Sequence, residues 1–448
     1  ARAAFENRGR TFAKYAGVAP ALDYHLLMKE EGSGPHEMLE IGARAACLRS
    51  GQPHACDIIE RRSTAGAGEG GEGSAAEYYV HYVGLNRRLD EWVAADRIVH
   101  DTSGAGVRDG AELGGRRATR KMKRRIDDMN ALQAGASHDE ALEKEHEEST
   151  KVKNIQTVEI GRFEVDTWYF SPFPDEYAQQ RKLYICEFTL KYMKRRSTYL
   201  AHCERERSRQ PPGQLIYRCD APPLRRECLA AGMEQPKQLS VFEINGSDSK
   251  VYCQCLCLLA KLFLDHKTLY YDVDPFLFYV LCEVGADGGH RIAGYFSKEK
   301  TSSEHNNIAC ILVLPQHQRK GYSKLLIDCA YQISIREAKV GSPEKPLSDL
   351  GLLSFRSYWT QILLQTLSDH RGNLSVKEIS MMTSITTDDI ISTLQSLNLI
   401  KYWKGQHVIS VSPKIVDEHL KLHPPGTSLR CDPSKLTWQP PAEDALDK

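Results

Sequence analysis

Short strand-like segments open the patterned part of the chain and predict a small β domain. They cover residues 41–49, 55–62, 77–83 and 90–93, and the third is aromatic and β-branched, as strands tend to be. Residues 64–76 are almost entirely Gly, Ala, Ser, Thr and Glu, which is typical of a flexible hairpin insert. Four or five short strands within about 60 residues indicate a small barrel.

Longer apolar runs in the middle of the chain predict an α/β core. Residues 277–283 and 308–314 are apolar runs of strand length, as in strands buried on both faces. Residues 321–338 have helical spacing instead. Five apolar residues of this helix fall on broadly one side: Leu325, Leu326, Cys329, Ile333 and Ile335.

Helical patterns dominate after residue 355. Residues 358–367 and 387–397 have helical spacing, and residues 375–378 resemble a capping box that opens another helix. Residues 399–411 then alternate like a hairpin. Three helices followed by two strands predict a winged helix, a fold that often binds DNA. Because the third helix carries two aspartates (388–389) and no Lys or Arg, we expect a structural role for it.

Charge is balanced over the whole chain but not along it. Lys+Arg and Asp+Glu both number 59 in 448 residues, which excludes a uniformly basic nucleic-acid coat but not a local patch. Residues 116–125 hold seven Lys or Arg, and residues 139–148 are mostly acidic, so this region is interpreted as a linker. The basic block is either a solvated segment or a nuclear-import or DNA-phosphate patch.

Membrane and export signals are not apparent. No apolar run approaches the roughly 20 residues that cross a bilayer, so no membrane partner is expected. Residues 1–15 are rich in Arg and have no apolar stretch, unlike a secretory signal. The 13 cysteines then favour a reduced compartment, cytosol or nucleus. Three of them open an apolar run and are interpreted as core: Cys253, Cys255 and Cys257.

A turn between a predicted strand and a predicted helix carries candidate chemistry. Small residues, Gly321 and Ser323, allow backbone N–H groups to approach a phosphate, and a helix N-terminus adds partial positive charge. Arg319, Lys320 and Lys324 supply cations. A turn of this kind after a buried strand resembles the way in which N-acetyltransferases bind acetyl-CoA.

Five longer motifs resemble the MYST family of histone acetyltransferases. They lie at residues 166–172, 266–272, 294–300, 307–312 and 343–351. The last reads Pro-Glu-Lys-Pro-Leu-Ser-Asp-Leu-Gly, and the similarity extends over residues 158–420. Residues 79–93 are similar to the chromo-barrel of the Tip60/Esa1-like and MOF-like branches. The whole arrangement is most similar to the Tip60/Esa1-like branch.

The resemblance implies a multidomain chain with a small β barrel and a mixed α/β core. The expected parts are an irregular N-terminal segment (1–37), a tudor-knot-like chromo-barrel (38–103), a charged linker (104–153), a MYST acetyltransferase domain (154–425) and a tail (426–448). Within the acetyltransferase domain it implies a degenerate C2HC finger (180–213), a GNAT-like acyl-CoA N-acyltransferase core that binds acetyl-CoA (236–353) and a winged-helix region (354–420).

The resemblance assigns catalysis to two residues. Glu344 matches the general base, which is needed because a lysine ammonium has a pKa of about 10.4. A carboxylate serves if partial burial raises its pKa. Cys310 matches the active-site cysteine, which as a thiolate could take the acetyl group first. We favour direct attack of lysine on acetyl-CoA, because Cys310 lies in an apolar strand with no adjacent base. From the residues alone, Glu344 would be a surface turn residue and Cys310 a core cysteine.

Motif positions also assign coenzyme contacts and a modification site. The backbone of Ile311, Leu312 and Val313 is expected to hold the acetyl and pantetheine end. The pyrophosphate loop comprises Gln318, Arg319, Lys320, Gly321, Tyr322, Ser323 and Lys324, and further contacts are expected from Ser348 and Ser357. Ser323 stands where Gly or Ala is usual, and it fits unless a positive φ is required. Lys267 matches the lysine that the family acetylates on itself. Its other interpretation is an ion pair with Asp265 or Asp272.

The zinc finger is where the chain departs from the family pattern, Cys-x2-Cys-x12-His-x3-Cys. Cys186 and His202 occupy the first and third positions, whereas Thr189 and Glu206 replace the other cysteines. A structural zinc site needs four donors, and neighbours such as Cys203 rarely substitute. We therefore expect a finger without zinc. Aromatic packing would then hold it together, through Tyr184, Phe188 and Tyr192.

The barrel sequence permits two kinds of ligand. A methyl-lysine reader needs a cage of aromatic faces, and the available aromatics are Tyr78, Tyr79, Tyr82 and Trp92. Strand alternation places Tyr78 and Tyr82 opposite Tyr79, and one of these faces must pack the core. Four arginines would suit phosphate contacts: Arg61, Arg62, Arg87 and Arg88. We therefore expect a nucleic-acid or nucleosome tether.

Two functions remain from the sequence. The first is a nuclear histone acetyltransferase that acts on core histone tails and nucleosomes within a multisubunit complex, with nucleic acid held by the barrel and by residues 116–125. The second is a non-catalytic chromatin scaffold, favoured by the altered finger, by Ser323, by the barrel and by the basic segment. A small-molecule acetyltransferase is disfavoured, since it would not need a barrel, a winged helix and a basic linker.

Overall fold

A computed structural model describes most of the patterned chain. The described residues are 39–64, 75–99, 150–224, 229, 234–265, 267, 270–370, 374–403, 406–409, 413–422 and 429–440. They fall into two compact units that divide after Val152. The segment 1–37, the basic segment 116–125 and most of the predicted hairpin insert lie outside the described residues.

The first unit is a five-stranded antiparallel sheet, as the short strands predicted. Its strands are β1 (Arg44–Arg49), β2 (Gln52–Thr64), β3 (Ala75–Tyr82), β4 (Glu91–Ala94) and β5 (Ile98–Val99). Their order in the sheet is β4-β3-β2-β1-β5. Alternate residues of β3 point into the core, so Tyr78, Val80 and Tyr82 pack together there.

The second unit begins with a small sheet and the finger. The sheet order is β7-β6-β8-β9. These strands are β6 (Thr157–Ile160), β7 (Phe163–Asp166), β8 (Lys182–Ile185) and β9 (Tyr192–Met193), with helices α1 (Asp175–Ala178) and α2 (Arg196–Arg205).

A five-stranded antiparallel sheet forms the centre of the second unit. Its order is β10-β11-β12-β13-β15. The elements are β10 (Gln214–Asp220), β11 (Gln238–Asn245), helix α3 (Lys250–Lys261), β12 (Phe276–Val284), β13 (His290–Glu299), β14 (Asn306–Ile308) and β15 (Cys310–Val313).

Both faces of this central sheet are covered, which explains the continuous apolar run of β12. On one face Tyr279 stacks on Phe296 with ring centroids 4.5 Å apart, and on the other Phe278 lies 6.3 Å from Tyr295. The first face belongs to the core that includes the later helices, and the second to the core around α3. The three cysteines of α3 are buried, as predicted.

Two expectations for the core need correction. The run 308–314 is not one strand, because Ala309 separates β14 from β15 and β14 pairs instead with β16 (Ser342–Pro343). Helix α4 (Tyr322–Arg336) buries Leu325, Leu326, Cys329 and Ile333. Ile335 was expected beside them but is 41% exposed, because it lies two positions after the buried Ile333 and so points to the other side of the helix.

Helices follow in the predicted order. They are α5 (Asp349–Asp369), α6 (Val376–Thr383), α7 (Thr387–Ser396) and, after the hairpin β17 (Ile400–Trp403) and β18 (Gln406–Ile409), α8 (Pro413–Leu422). Ser375 and Glu378 form the predicted capping box at α6. Among the described residues no helix has the length and apolar character needed to span a bilayer.

Candidate active site

A cavity in the second unit brings together residues that are distant in sequence. It lies beside the start of β15 and the segment that leads into α5, and its walls include Cys310, Ile311, Glu344, Lys267 and Ser348. The other predicted coenzyme residues do not line this cavity: Leu312, Val313, residues 318–324 and Ser357. The structure therefore groups the predicted catalytic pair with the predicted modification site.

Glu344 is held at the cavity wall by the pairing of β16 with β14. Its backbone N–H donates to the carbonyl oxygen of Ile308 at 2.8 Å. Burial of the carboxyl group raises the pKa of Glu344, the nearby charges of Glu299 and Glu304 raise it further, and Lys267 opposes them. A carboxylate with a raised pKa is suited to accept a proton near neutral pH.

Residues at the end of α6 and the start of α7 contact the segment that precedes Glu344. The hydroxyl of Ser342 donates to the buried carboxylate of Asp389 at 2.7 Å. The N–H of Gly341 donates to the carbonyl of Ser384 at 3.0 Å. These contacts agree with the structural role expected for the third C-terminal helix.

Cys310 has a cationic neighbour that local sequence does not reveal. The ammonium of Lys267 lies 3.8 Å from Cys310 Sγ, and this lysine is only 8% exposed. Burial lowers the pKa of Lys267, but its interactions with the side chains of Cys310 and Cys257 outweigh burial and raise it overall. Among the ion pairs of the described residues, none joins Lys267 to Asp265 or Asp272. The alternative interpretation of Lys267 is therefore wrong.

The loop between β15 and α4 contains two residues with left-handed backbone conformation. Arg319 and Gly321 have positive φ angles of 65° and 87°, and Gly321 forms the N-cap of α4. Glycine adopts this conformation without steric cost. The departure at Ser323 lies one residue inside the helix, where no positive φ is required. The altered residue therefore fits, and it gives little support to the scaffold hypothesis.

Lys320 does not present its charge in the way the sequence suggested. Its ammonium is buried against Glu283 of β12 at 2.7 Å. The same carboxylate oxygen accepts from Tyr322 at 2.7 Å and contacts Nδ1 of His317 at 3.1 Å. Burial raises the pKa of Glu283, but His317 and Lys320 outweigh burial and lower it to about 2. The side chain of Lys320 thus anchors the loop.

The remaining coenzyme candidates have simpler surroundings. Leu312 and Val313 are buried in β15, and Gln318 donates to the carbonyl of Val313 at 3.0 Å. Ser348 is the N-cap of α5, where it accepts from the N–H of Gly351 at 3.1 Å. Ser357 is half-buried within α5.

The finger residues at the four positions where the family has zinc ligands do not form a metal-binding cluster. Thr189 Oγ1 and His202 Nε2 are hydrogen-bonded at 2.9 Å. Glu206 accepts from the backbone N–H of Ser208 at 2.8 Å. Among the described residues no group of three His, Cys, Asp or Glu could hold a metal ion. Tyr184 and Phe188 pack in the finger as expected, but Tyr192 packs on Phe173 and Tyr177 instead.

The barrel uses its aromatic residues internally. Tyr78, Tyr79 and Tyr82 are at most 3% exposed. Trp92 packs on Tyr79, and the guanidinium of Arg62 lies 3.9 Å from the centre of the Trp92 ring. The guanidinium of Arg62 therefore already occupies a face of the Trp92 ring, where a methyl-lysine would have to bind.

Known families match all three patterned regions of the chain. Residues 210–436 match the MOZ/SAS family, and residues 152–205 match the MYST family zinc finger domain. Residues 39–100 match the Tudor-knot family, described as the RNA binding activity-knot of a chromodomain.

Full-length relatives extend these matches over most of the chain. "Histone acetyltransferase of the MYST family 2" of Arabidopsis thaliana is 50% identical over 405 residues, or 90% of this chain and 86% of the relative. "Histone acetyltransferase ESA1" of Saccharomyces cerevisiae is 40% identical over 406 residues, which cover 82% of this chain and 86% of the relative. "Histone acetyltransferase MOF" of Drosophila melanogaster is 44% identical over 457 residues, which cover 88% of this chain and 52% of the relative. The chain belongs to the MYST family of histone acetyltransferases.

Proposed function

We propose that the chain transfers the acetyl group of acetyl-CoA to ε-amino groups of lysines in core histone tails. The observation that carries the proposal is the cavity shared by Glu344, Cys310 and Lys267, with the pKa of Glu344 raised by burial and by neighbouring carboxylates. Glu344 takes a proton from the substrate ammonium. The neutral amine then attacks the thioester carbonyl, and the new N–C bond replaces the C–S bond as coenzyme A leaves as thiolate. The nitrogen releases its second proton, which the thiolate takes up, so the products are the amide and the free thiol of coenzyme A.

An acetylation assay tests this proposal. The full chain is incubated with labelled acetyl-CoA and with histone tail peptides, nucleosomes or a polyamine as acceptor. We expect label on the histone lysines and little on the polyamine. Tight nucleosome binding with no transfer above background would support the scaffold instead.

The coenzyme site is the second part of the proposal. We assign residues 236–353 to a GNAT-like core in which the backbone of Ile311, Leu312 and Val313 faces the acetyl and pantetheine end. The loop 318–324 surrounds the pyrophosphate, with Ser348 and Ser357 as further contacts. The left-handed backbone at Arg319 and Gly321 supports this assignment. Acetyl-CoA is the only cofactor that we propose, without zinc.

Direct attack predicts that Cys310 is dispensable for transfer. Cys310→Ala should keep transfer within about tenfold of wild type, because only a positioning contact to Lys267 is lost. Rapid-quench kinetics followed by peptide mass mapping would check this. An acetylated Cys310 peptide that forms and decays at the rate of turnover would contradict direct attack. Mapping is required because Lys267, the proposed autoacetylation site, lies beside Cys310 and would also carry acetyl.

We propose that residues 354–420 form a winged helix that supports the active site. The order α6, α7 and then the hairpin β17–β18 is the observation that favours it. Asp389 is 7% exposed and accepts from Ser342, so its helix is used for packing rather than for DNA readout.

Chromatin is the proposed setting. We propose a nuclear protein that works in a multisubunit acetyltransferase complex on nucleosomes, with the barrel as a nucleic-acid tether. The buried barrel tyrosines and the Arg62–Trp92 contact leave a charged surface as the better candidate for binding. The segment 116–125 would add nuclear import or phosphate contacts.

The tether predicts salt-dependent binding of RNA or DNA by the full chain. Charge reversal at Arg87 and Arg88 should reduce the slope of log K against log salt by about two, since each phosphate contact contributes close to one. Fluorescence anisotropy over a salt series measures this. Reversal of Arg205 and Arg207, which are exposed in the second unit, makes the same charge change and is the control. Salt-insensitive binding of a methylated histone peptide that is lost in Trp92→Ala would contradict the tether.

A further inference from the structure

Backbone hydrogen bonds close the turn of the finger. The N–H of Cys186 donates to the carbonyl of Lys191 at 3.0 Å, and the N–H of Leu190 donates back to Cys186 at 2.9 Å. Leu190 adopts a left-handed φ of 58° to close this turn. In a zinc finger, such a turn places two cysteine sulfurs on the metal. Here the second position is Thr189, whose hydroxyl cannot replace a thiolate.

The residues that remain at the family positions are already used within the protein. Thr189 Oγ1 accepts from the N–H of Lys191 at 3.4 Å and is hydrogen-bonded to His202 Nε2 at 2.9 Å. A histidine binds zinc through one of its ring nitrogens, and this one is already engaged. Glu206 accepts from Ser208. Of the four family ligands only Cys186 and His202 are retained, so the donor set does not fit a structural zinc.

Apolar packing surrounds the same position. Cys186 is completely buried and packs in one apolar cluster with Phe188, Met193 and Tyr199. Arg291 lies over the Phe188 ring at 5.5 Å and pairs with Glu187 at 2.9 Å, which fastens the turn to β13. A buried thiol behaves as a small apolar group. The finger thus has a core, a closed turn and an attachment to the central sheet without a metal.

We infer that the finger of this chain is a metal-free module in which the Thr189–His202 hydrogen bond replaces the zinc coordination bonds. It connects the turn after β8 to helix α2, the two elements that a zinc ion joins in a finger. The module is therefore insensitive to chelators. The inference does not rest on acetyl transfer, because metal content and thermal stability are measured without it.

Metal analysis of the full chain tests the inference directly. Wild type purified with zinc in the medium should hold far less than one equivalent, and EDTA should leave its thermal midpoint unchanged. The double variant Thr189→Cys/Glu206→Cys restores the family spacing. It should gain one equivalent of zinc and a midpoint that falls with EDTA. One equivalent of zinc in wild type that is lost in His202→Ala would overturn the inference, even if the double variant fails to fold.

The hydrogen bond is tested separately by Thr189→Val, which removes the hydroxyl and keeps the shape. Its thermal midpoint should fall by roughly 2–4 °C, as expected for one partly buried hydrogen bond. Thr198→Val on the exposed face of α2 is the matched control and should change little. Equal midpoints for wild type and Thr189→Val would show that the bond does not hold the finger.

Discussion

Replacing Glu344 by Gln is expected to lower kcat for acetylation of a histone peptide by about 10²–10⁴-fold. The amide has nearly the same size but cannot accept the proton of the substrate ammonium. The KM for acetyl-CoA should change little, because Glu344 follows β16 at the cavity wall, whereas the phosphate loop between β15 and α4 does not line that cavity. Steady-state kinetics with both substrates varied separates the two parameters. Equal kcat values for wild type and variant would exclude Glu344 as the base.

The acid limb of the pH profile gives a second measure of the same residue. Burial of its carboxyl group and the charges of Glu299 and Glu304 raise the pKa of Glu344, and only the ionised form accepts a proton. The rate should therefore fall with decreasing pH, at a midpoint above that of an ordinary glutamate. Glu304→Gln removes one of these negative charges and should move the midpoint to lower pH, with the plateau unchanged. A midpoint that stays in place would show that another group controls the limb.

Local hydrophobic patterns predicted correctly the strands that are buried on both faces and the amphipathic helices. The run at 277–283 became β12, and the helical spacing after residue 321 became α4. The pattern failed where tertiary pairing decides the outcome. The apolar run 308–314 looks like one strand, but pairing of β14 with β16 on one side and of β15 with β13 on the other breaks it at Ala309. No property of the run itself distinguishes these partners.

Motif position selected the residues of the candidate site, but it gave no information about their electrostatics. The two residues selected as catalytic, Glu344 and Cys310, line the same cavity. The contact between Lys267 and Cys310 spans 43 positions, and the contact between Lys320 and Glu283 spans 37. From the sequence, Lys320 was interpreted as a phosphate ligand, because its partner Glu283 lies on β12, far away along the chain. Charge pairs of this kind depend on the assembled fold, so a loop sequence cannot reveal them.

Glu283→Ala is expected to combine a loss of stability with weaker binding of acetyl-CoA. Glu283 Oε1 lies within 3.1 Å of donors from His317, Lys320 and Tyr322, of which the last two belong to the phosphate loop and the first precedes it. Removing the carboxylate leaves the buried ammonium of Lys320 without its partner, at a cost of about 3–5 kcal/mol. The loop then loses the anchor that positions its backbone, so KM for acetyl-CoA should rise about tenfold or more, as expected for weaker ground-state binding.

Urea unfolding and kinetics with each substrate varied measure these two effects. The double variant Glu283→Ala/Lys320→Met removes both charges and should recover part of the stability, since neither charge is then buried alone. Asp248→Ala, at an exposed carboxylate, is the control. The KM for the histone peptide should stay near wild type, because the anchored loop does not line the cavity that holds Glu344. A general loss of structure would raise both constants, and an unchanged KM for acetyl-CoA would remove Glu283 from the binding of the coenzyme.

Acid unfolding distinguishes the anchor from ordinary packing. Because the folded pKa of Glu283 is lowered to about 2, its contribution to stability is present above the pKa of an unfolded glutamate, about 4.3. It is lost as the pH falls through the folded value. Wild type should therefore lose stability across this interval more steeply than Glu283→Ala, in which the linked proton is absent. Parallel curves for the two proteins would mean that the carboxylate is not ionised in the fold, and that hydrogen bonds to a neutral group hold the loop.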